Sequence, residues 1–211
     1  MVQVETRVEG IMIQRLKDVY EKLLLIPHSV SSCASTRGGG LFKVKDFVRS
    51  VALLAWAKAK GCPWEARTCA LVARGGRLEV LQWARARDPH CLWDATTCAA
   101  AARGGHLAVL QWARDQSPPC PWDTETICSD AALGGNLEML QWLRERGCPW
   151  GGGYDDDSNN TTALAAHGGH LAVLQWAWRN GCPWDALTTA YAAQGGHLAV
   201  LQWARANGCP W

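Results

Sequence analysis

The chain has 211 residues, 48% of them hydrophobic, and its 21 Lys and Arg against 19 Asp and Glu leave a formal net charge of +2. That length and apolar content support one domain or one repeat array with a continuous core, and exclude compositional disorder. The charges are interspersed without a basic block, so no nucleic acid partner is expected. No apolar run of roughly 18 residues and no secretory signal pattern is present, so the expected setting is intracellular, cytoplasmic or nuclear, with no membrane partner.

Taken from the N-terminus, the stretch Ile11 to Ile26 has apolar residues at positions 12, 13, 16, 19, 20, 23 and 24. This is the pattern of an amphipathic helix, expected to cap an array and alternatively to pair with a partner. Pro27 to Gly40, with its Ser, Thr and Gly content, reads as a linker, so residues 1–40 form an N-terminal helix and linker. A helix is predicted from Leu41 to Lys60. Its end, Ala55-Trp56-Ala57-Lys58-Ala59-Lys60-Gly61, matches endings found further along, which makes 41–63 a degenerate first unit.

Three markers then recur in fixed order. Leu-Gln-Trp ends at Trp83, Trp112, Trp142, Trp176 and Trp203, at intervals of 29, 30, 34 and 27 residues. Cys-Pro-Trp ends at Trp64, Trp122, Trp150, Trp184 and Trp211, with Cys91-Leu92-Trp93 in the remaining slot. Gly-Gly falls at Gly75, Gly104, Gly134, Gly168 and Gly195 with the glycine after each. Periods of 20 to 50 residues mean stacked supersecondary units. The array therefore spans 41–211, with repeats at about 64–92, 93–121, 122–149, 150–183 and 184–211.

One unit shows the local logic. Asp94 is placed to cap a helix and Trp93 to staple onto Cys98. Thr96 to Ala102 supply side chains small enough for close helix approach, and Gly104-Gly105 ends the helix. A second helix from Leu107 to about Arg114 sets Val109, Leu110, Trp112 and Ala113 on one face, with Gln111 and Arg114 pointing elsewhere. Gly61, Gly147, Gly181 and Gly208 are C′ positions, each followed two residues later by proline. The fold class is all-α, an α-solenoid of helix-turn-helix repeats.

Gly105-His106-Leu107-Ala108-Val109-Leu110-Gln111 and Gly76-Arg77-Leu78-Glu79-Val80-Leu81-Gln82 resemble the second-helix signature of ankyrin repeats, and Thr96 to Ala102 resembles the first-helix motif. The likeness covers about Gly61 to Trp211. It departs from the family at Thr97 and Ala99, where proline and histidine are usual, and in its short period, with Gly-Cys-Pro-Trp turns where the family projects hairpin fingers. The resemblance implies a protein-interaction module that meets its partner through the inner-helix face.

Among residues that could carry chemistry, nine of the ten cysteines sit at repeated positions and are expected to be free, structural thiols. His106, His170 and His197 share their slot with Arg77 and Asn136, which argues against a metal or catalytic role, and they are expected to start the second helix and bond locally. Asp155, Asp157 and Asn159 have calcium-loop spacing, but Asn160 and Ala166 stand where that loop needs glycine and glutamate. No nucleophile, base and orienting group converge, so neither enzyme activity, cofactor nor metal is expected. Specificity must lie where units differ, which selects Arg67, Thr96, Glu125, Ser129, Asp130, Leu187 and Tyr191, with Asp155, Asp156 and Asp157 in an acidic loop. The expected function is a scaffold binding a protein partner on the concave inner face. The alternative is assembly, including self-association, through the C-terminal repeat face.

Overall fold

The computed structural model describes residues 50–59, 65–87, 90–151 and 160–211, and among these the chain is all-helical, without strands. The amphipathic stretch Ile11–Ile26, the linker to Gly40 and the acidic residues Asp155, Asp156 and Asp157 lie outside the described residues. The chain divides between residues 63 and 64 into two units. Of the first, helix α1 (Val51–Ala59) buries Leu53, Leu54 and Ala57, and Ser50 Oγ accepts the Leu53 N–H at 3.3 Å.

The second unit is built from helix pairs. These are α2 (Ala66–Arg74) with α3 (Leu78–Arg85), α4 (Ala95–Gly104) with α5 (Leu107–Arg114), and α6 (Ile127–Leu133) with α7 (Leu137–Glu145). Then come α8 (Thr161–His167) with α9 (Leu171–Arg179), and α10 (Ala186–Gln194) with α11 (Leu198–Ala206). No helix here exceeds 10 residues, too short to persist alone in water, so packing must hold each one. The first helices form the tight layer: α2 packs on α4, α4 on α6, α6 on α8 and α8 on α10. Their buried side chains explain the closeness, since Cys69, Ala73, Cys98, Ala102, Cys128, Ala132 and Ala166 are all small. The second helices carry the bulk. Leu81, Leu110, Leu140 and Leu174, one slot repeated four times, are wholly inaccessible to solvent.

Local signals set most helix ends. Asp94 and Asp185 accept the backbone N–H of Thr96 and Leu187, both at 2.9 Å, and Asn160 accepts that of Thr162 at 3.0 Å. Each satisfies one free amide of a first turn. The second glycine of every described Gly-Gly is left-handed, as at Gly105 with φ 74°, and so are the expected C′ positions Gly147, Gly181 and Gly208.

Off the apolar face, Arg114 has a defined partner: its Nη1 donates to the Cys120 carbonyl at 2.6 Å, and its guanidinium lies 4.3 Å from the Trp122 ring centre. Trp93 meets Trp112 edge-on at 5.9 Å and lies under Arg85, and Cys98 Sγ faces the Cys120 carbonyl. The same clamp recurs. Arg85, Arg144 and Arg205 each donate to the carbonyl of Cys91, Cys148 and Cys209 and cover Trp93, Trp150 and Trp211. In α9 the arginine slot holds Trp178, which stacks on Trp184 at 5.3 Å, one ring replacing the cation over the next unit's indole.

Arg114→Ala removes a charge-assisted hydrogen bond and a cation–π contact together, and should cost about 2 kcal/mol. Urea denaturation checks this, and a loss under about 0.5 kcal/mol, the range of ordinary surface changes, would show that the clamp is not a stabilising feature.

Candidate partner-binding surface

The surface is what remains after the junctions between helix pairs are made, so the junctions come first. Asn136 Nδ2 donates to the Ala102 carbonyl at 3.1 Å. His106, His170 and His197 use Nε2 in the same way, on the carbonyls of Arg74, Leu133 and His167 at 3.0, 3.1 and 3.0 Å. These side chains were expected to bond locally, and the structure corrects that: each reaches back to the preceding inner helix. The slot tolerates His or Asn because both offer an N–H at similar reach.

A second interlayer set uses small donors on the inner helices. Cys98 and Cys128 Sγ face the carbonyls of Cys120 and Cys148 at 3.8 and 3.9 Å, while Thr162 and Thr189 Oγ1 donate to Pro183 and Pro210 at 2.9 and 2.7 Å. Thiol and hydroxyl thus interchange in one slot. The turn cysteines point the other way, Cys91, Cys120 and Cys209 Sγ lying 3.6, 3.5 and 3.3 Å from the carbonyls of Glu65, Asp94 and Asp185. Burial pushes the Cys128 and Cys182 thiols up to about 12, and raises Cys148 and Cys209 as well. Such thiols stay protonated donors at neutral pH and are poor nucleophiles. The described cysteines are free, and among the described residues no cluster of His, Cys, Asp or Glu is arranged to hold a metal ion.

Two residues assigned to the binding face belong to these junctions instead. Ser129 is buried with its Oγ 3.2 Å from Thr161 Oγ1. Asp130 is buried too, its Oδ1 accepting from Arg103 Nε at 2.6 Å. Burial raises the Asp130 carboxyl above its ordinary range and the guanidinium opposes the shift. Neither side chain is presented to a partner; a polar residue that varies between units can vary because its layer contacts vary.

The other described candidates are accessible. Arg67, Thr96 and Glu125 are exposed, each two residues after the acidic residue that opens its unit, Glu65, Asp94 or Asp123. Leu187 holds the matching place after Asp185 and is half-buried; Tyr191, also half-buried, sits edge-on to His167 at 5.7 Å. Sequence reasoning missed a second row, the residue before each Gly-Gly: Arg74, Arg103, His167 and Gln194 are exposed there. Its signal was the same variation between units, overlooked because the slot closes the helix.

These observations define the class: among the described residues the chain is all-helical, short helix pairs pack in series, and no helix is long and apolar enough to cross a membrane. No family model matches the chain, and no curated protein matches it.

Proposed function

We propose that the chain is an ankyrin-like α-solenoid that works as a scaffold, binding a protein partner through its concave inner-helix face, without enzymatic activity. One observation carries this reading. The repeated His or Asn slot and the repeated inner-helix and turn cysteines are engaged between layers, whereas Arg67, Thr96 and Glu125 change in charge and size at one recurring, exposed place on the opening turns. A row of different side chains on a common frame is how a repeat array encodes specificity. The extended series of helix pairs supports a surface role over chemistry, which needs convergent groups. An intracellular, cytoplasmic setting accords with free, buried thiols.

A photo-crosslinking residue placed at Thr96 or Glu125, in cells, should capture one defined protein, and Thr96→Arg should abolish capture. The same probe at Glu138, on the opposite helix of a pair, should capture nothing. Equal capture at all three positions would sink the proposal.

A further inference from the structure

The buried carboxylate of Asp130 stands where the other units need none. Leu71, Ala100, Asp130, Leu164 and Tyr191 share one slot, four residues before the first glycine of each described Gly-Gly. Taking a carboxylate out of water is costly, and pairing it with arginine seldom stabilises more than an apolar side chain in the same place. The pair has a definite form. Arg103 Nε donates to Asp130 Oδ1 at 2.6 Å, and the Asp130 side chain is 6% exposed against 52% for Arg103. The carboxylate therefore fixes one edge of a guanidinium whose Nη groups bond no described residue.

A second guanidinium stands beside it. Helices α2 and α4 pack together, and their ends touch: a methyl group on Gly104 would lie 2.6 Å from the Arg74 carbonyl oxygen. Arg74 and Arg103 each directly precede a Gly-Gly, so their side chains leave adjacent corners. Arg74 is exposed and shares one face of α2 with half-buried Leu71 and exposed Arg67, at helical spacing. Among the described residues neither Arg67 nor Arg74 has an ion partner. Glu65 and Asp94 lie at the opposite ends of α2 and α4. Arg74, Arg77 and Arg103 against Glu79 and the buried Asp130 leave the Gly-Gly end of these two units cationic.

We infer that Arg74 and Arg103 form a clamp for carboxylates on an acidic segment of the protein partner, with Asp130 as the positioning residue that aligns Arg103. The fork of N–H donors on a guanidinium matches a carboxylate, and the local charge is complementary. A guanidinium already held in place loses less freedom when it binds, and that is what the buried carboxylate contributes. A nucleic acid fits less well, because its affinity comes from many phosphate contacts and this corner offers few cations. Leu71, between Arg67 and Arg74, gives the segment an apolar spot that a phosphate backbone would not use. The inference rests on the inner-face reading and names the chemistry of its partner.

The test titrates the full chain, at physiological ionic strength, with a serine–glycine peptide carrying two adjacent glutamates. The Nε–H resonances of Arg74 and Arg103 are followed by NMR. Both should move together and saturate, and the matched peptide with two glutamines should bind about ten-fold more weakly. Arg74→Gln should also weaken binding about ten-fold. Asp130→Leu, which copies Leu71 and Leu164, should keep the denaturation midpoint near that of the parent yet weaken binding about five-fold. Asp130→Asn keeps an acceptor for Arg103 and should weaken it less than about two-fold. Asp130→Ala takes the place of the leucine variant if that chain does not fold. Unaltered binding in the folded leucine or alanine variant overturns the role of Asp130, and equal binding of the glutamine peptide overturns the clamp. Tighter binding of a phosphoserine peptide or single-stranded RNA at the same arginines would make the occupant a phosphate and overturn it too. If the glutamate peptide fails while crosslinks at Thr96 persist, this inference falls and the scaffold reading stands; the reverse result sinks the scaffold reading and leaves the clamp.

Discussion

Gly105→Ala should destabilise the chain by about 3 kcal/mol, one of the largest effects of any single methyl group in it. Two separate costs add. Gly105 sits at φ 74°, where an L side chain is strained by about 1 to 2 kcal/mol. The new methyl would also fall 2.1 Å from Asn136 Oδ1, so the amide must leave its place and its bond to the Ala102 carbonyl. That carbonyl keeps the Gly105 N–H at 3.1 Å, so the further cost is that of the lost interlayer bond and its displaced amide, about 0.5 to 1.5 kcal/mol. Gly181→Ala is the control: φ is 80° there, but nothing lies within 4 Å, so only the backbone cost of about 1 to 2 kcal/mol applies. Urea denaturation of both variants measures the difference. Equal losses would mean that the seat for Asn136 contributes nothing, and that the glycine pairs serve the turn alone.

Arg103→Met should cost about 3 kcal/mol at neutral pH, and Asp130→Asn less than about 1. The asymmetry follows from exposure. The Arg103 side chain is 52% exposed and remains solvated if its partner goes, whereas the Asp130 side chain is 6% exposed and would be left as a buried, unpaired carboxylate. The pH dependence has a defined sign. Burial raises the Asp130 carboxyl above its ordinary 3.8, so the native state binds this proton more tightly than the unfolded chain does. Its contribution is fully present below the unfolded value and is lost as pH rises through the folded one. Removing Arg103 takes away the opposing attraction and raises the folded value further, so the deficit of Arg103→Met should be small near pH 4 and grow toward pH 7. Denaturation midpoints across that range check it, and a deficit independent of pH would show that the guanidinium acts by packing and not by charge.

Much of the local structure was legible because it depends on neighbours two to four residues apart. Asp94 and Asp185 look like caps and are caps; Gly147, Gly181 and Gly208 look like helix terminators and have the positive φ that role requires. The core was legible for a related reason. A leucine or valine repeated at one helical position in every unit has one side on which to hide, and Val80, Val109, Val173 and Val200 are all buried.

The proposed binding surface was half legible. Variation between units does mark accessible residues at Arg67, Thr96 and Glu125, but it marks Ser129 and Asp130 equally, and those are held inside by Thr161 and Arg103. Sequence alone cannot separate the two groups, because a residue freed from a repeated contact can turn to solvent or to a different partner in the next layer.

By itself, then, the sequence determined the unit: where each helix starts and stops, which face is apolar and how often the pattern returns, all set by short-range sterics, capping and hydrophobic period. Only the tertiary structure decided how units hold one another. His106 on Arg74, Asn136 on Ala102 and Asp130 on Arg103 join residues 27 to 34 apart. Such bonds depend on how far one layer is displaced from the next, a distance fixed by the packing of many small side chains at once and written in no single stretch of the chain.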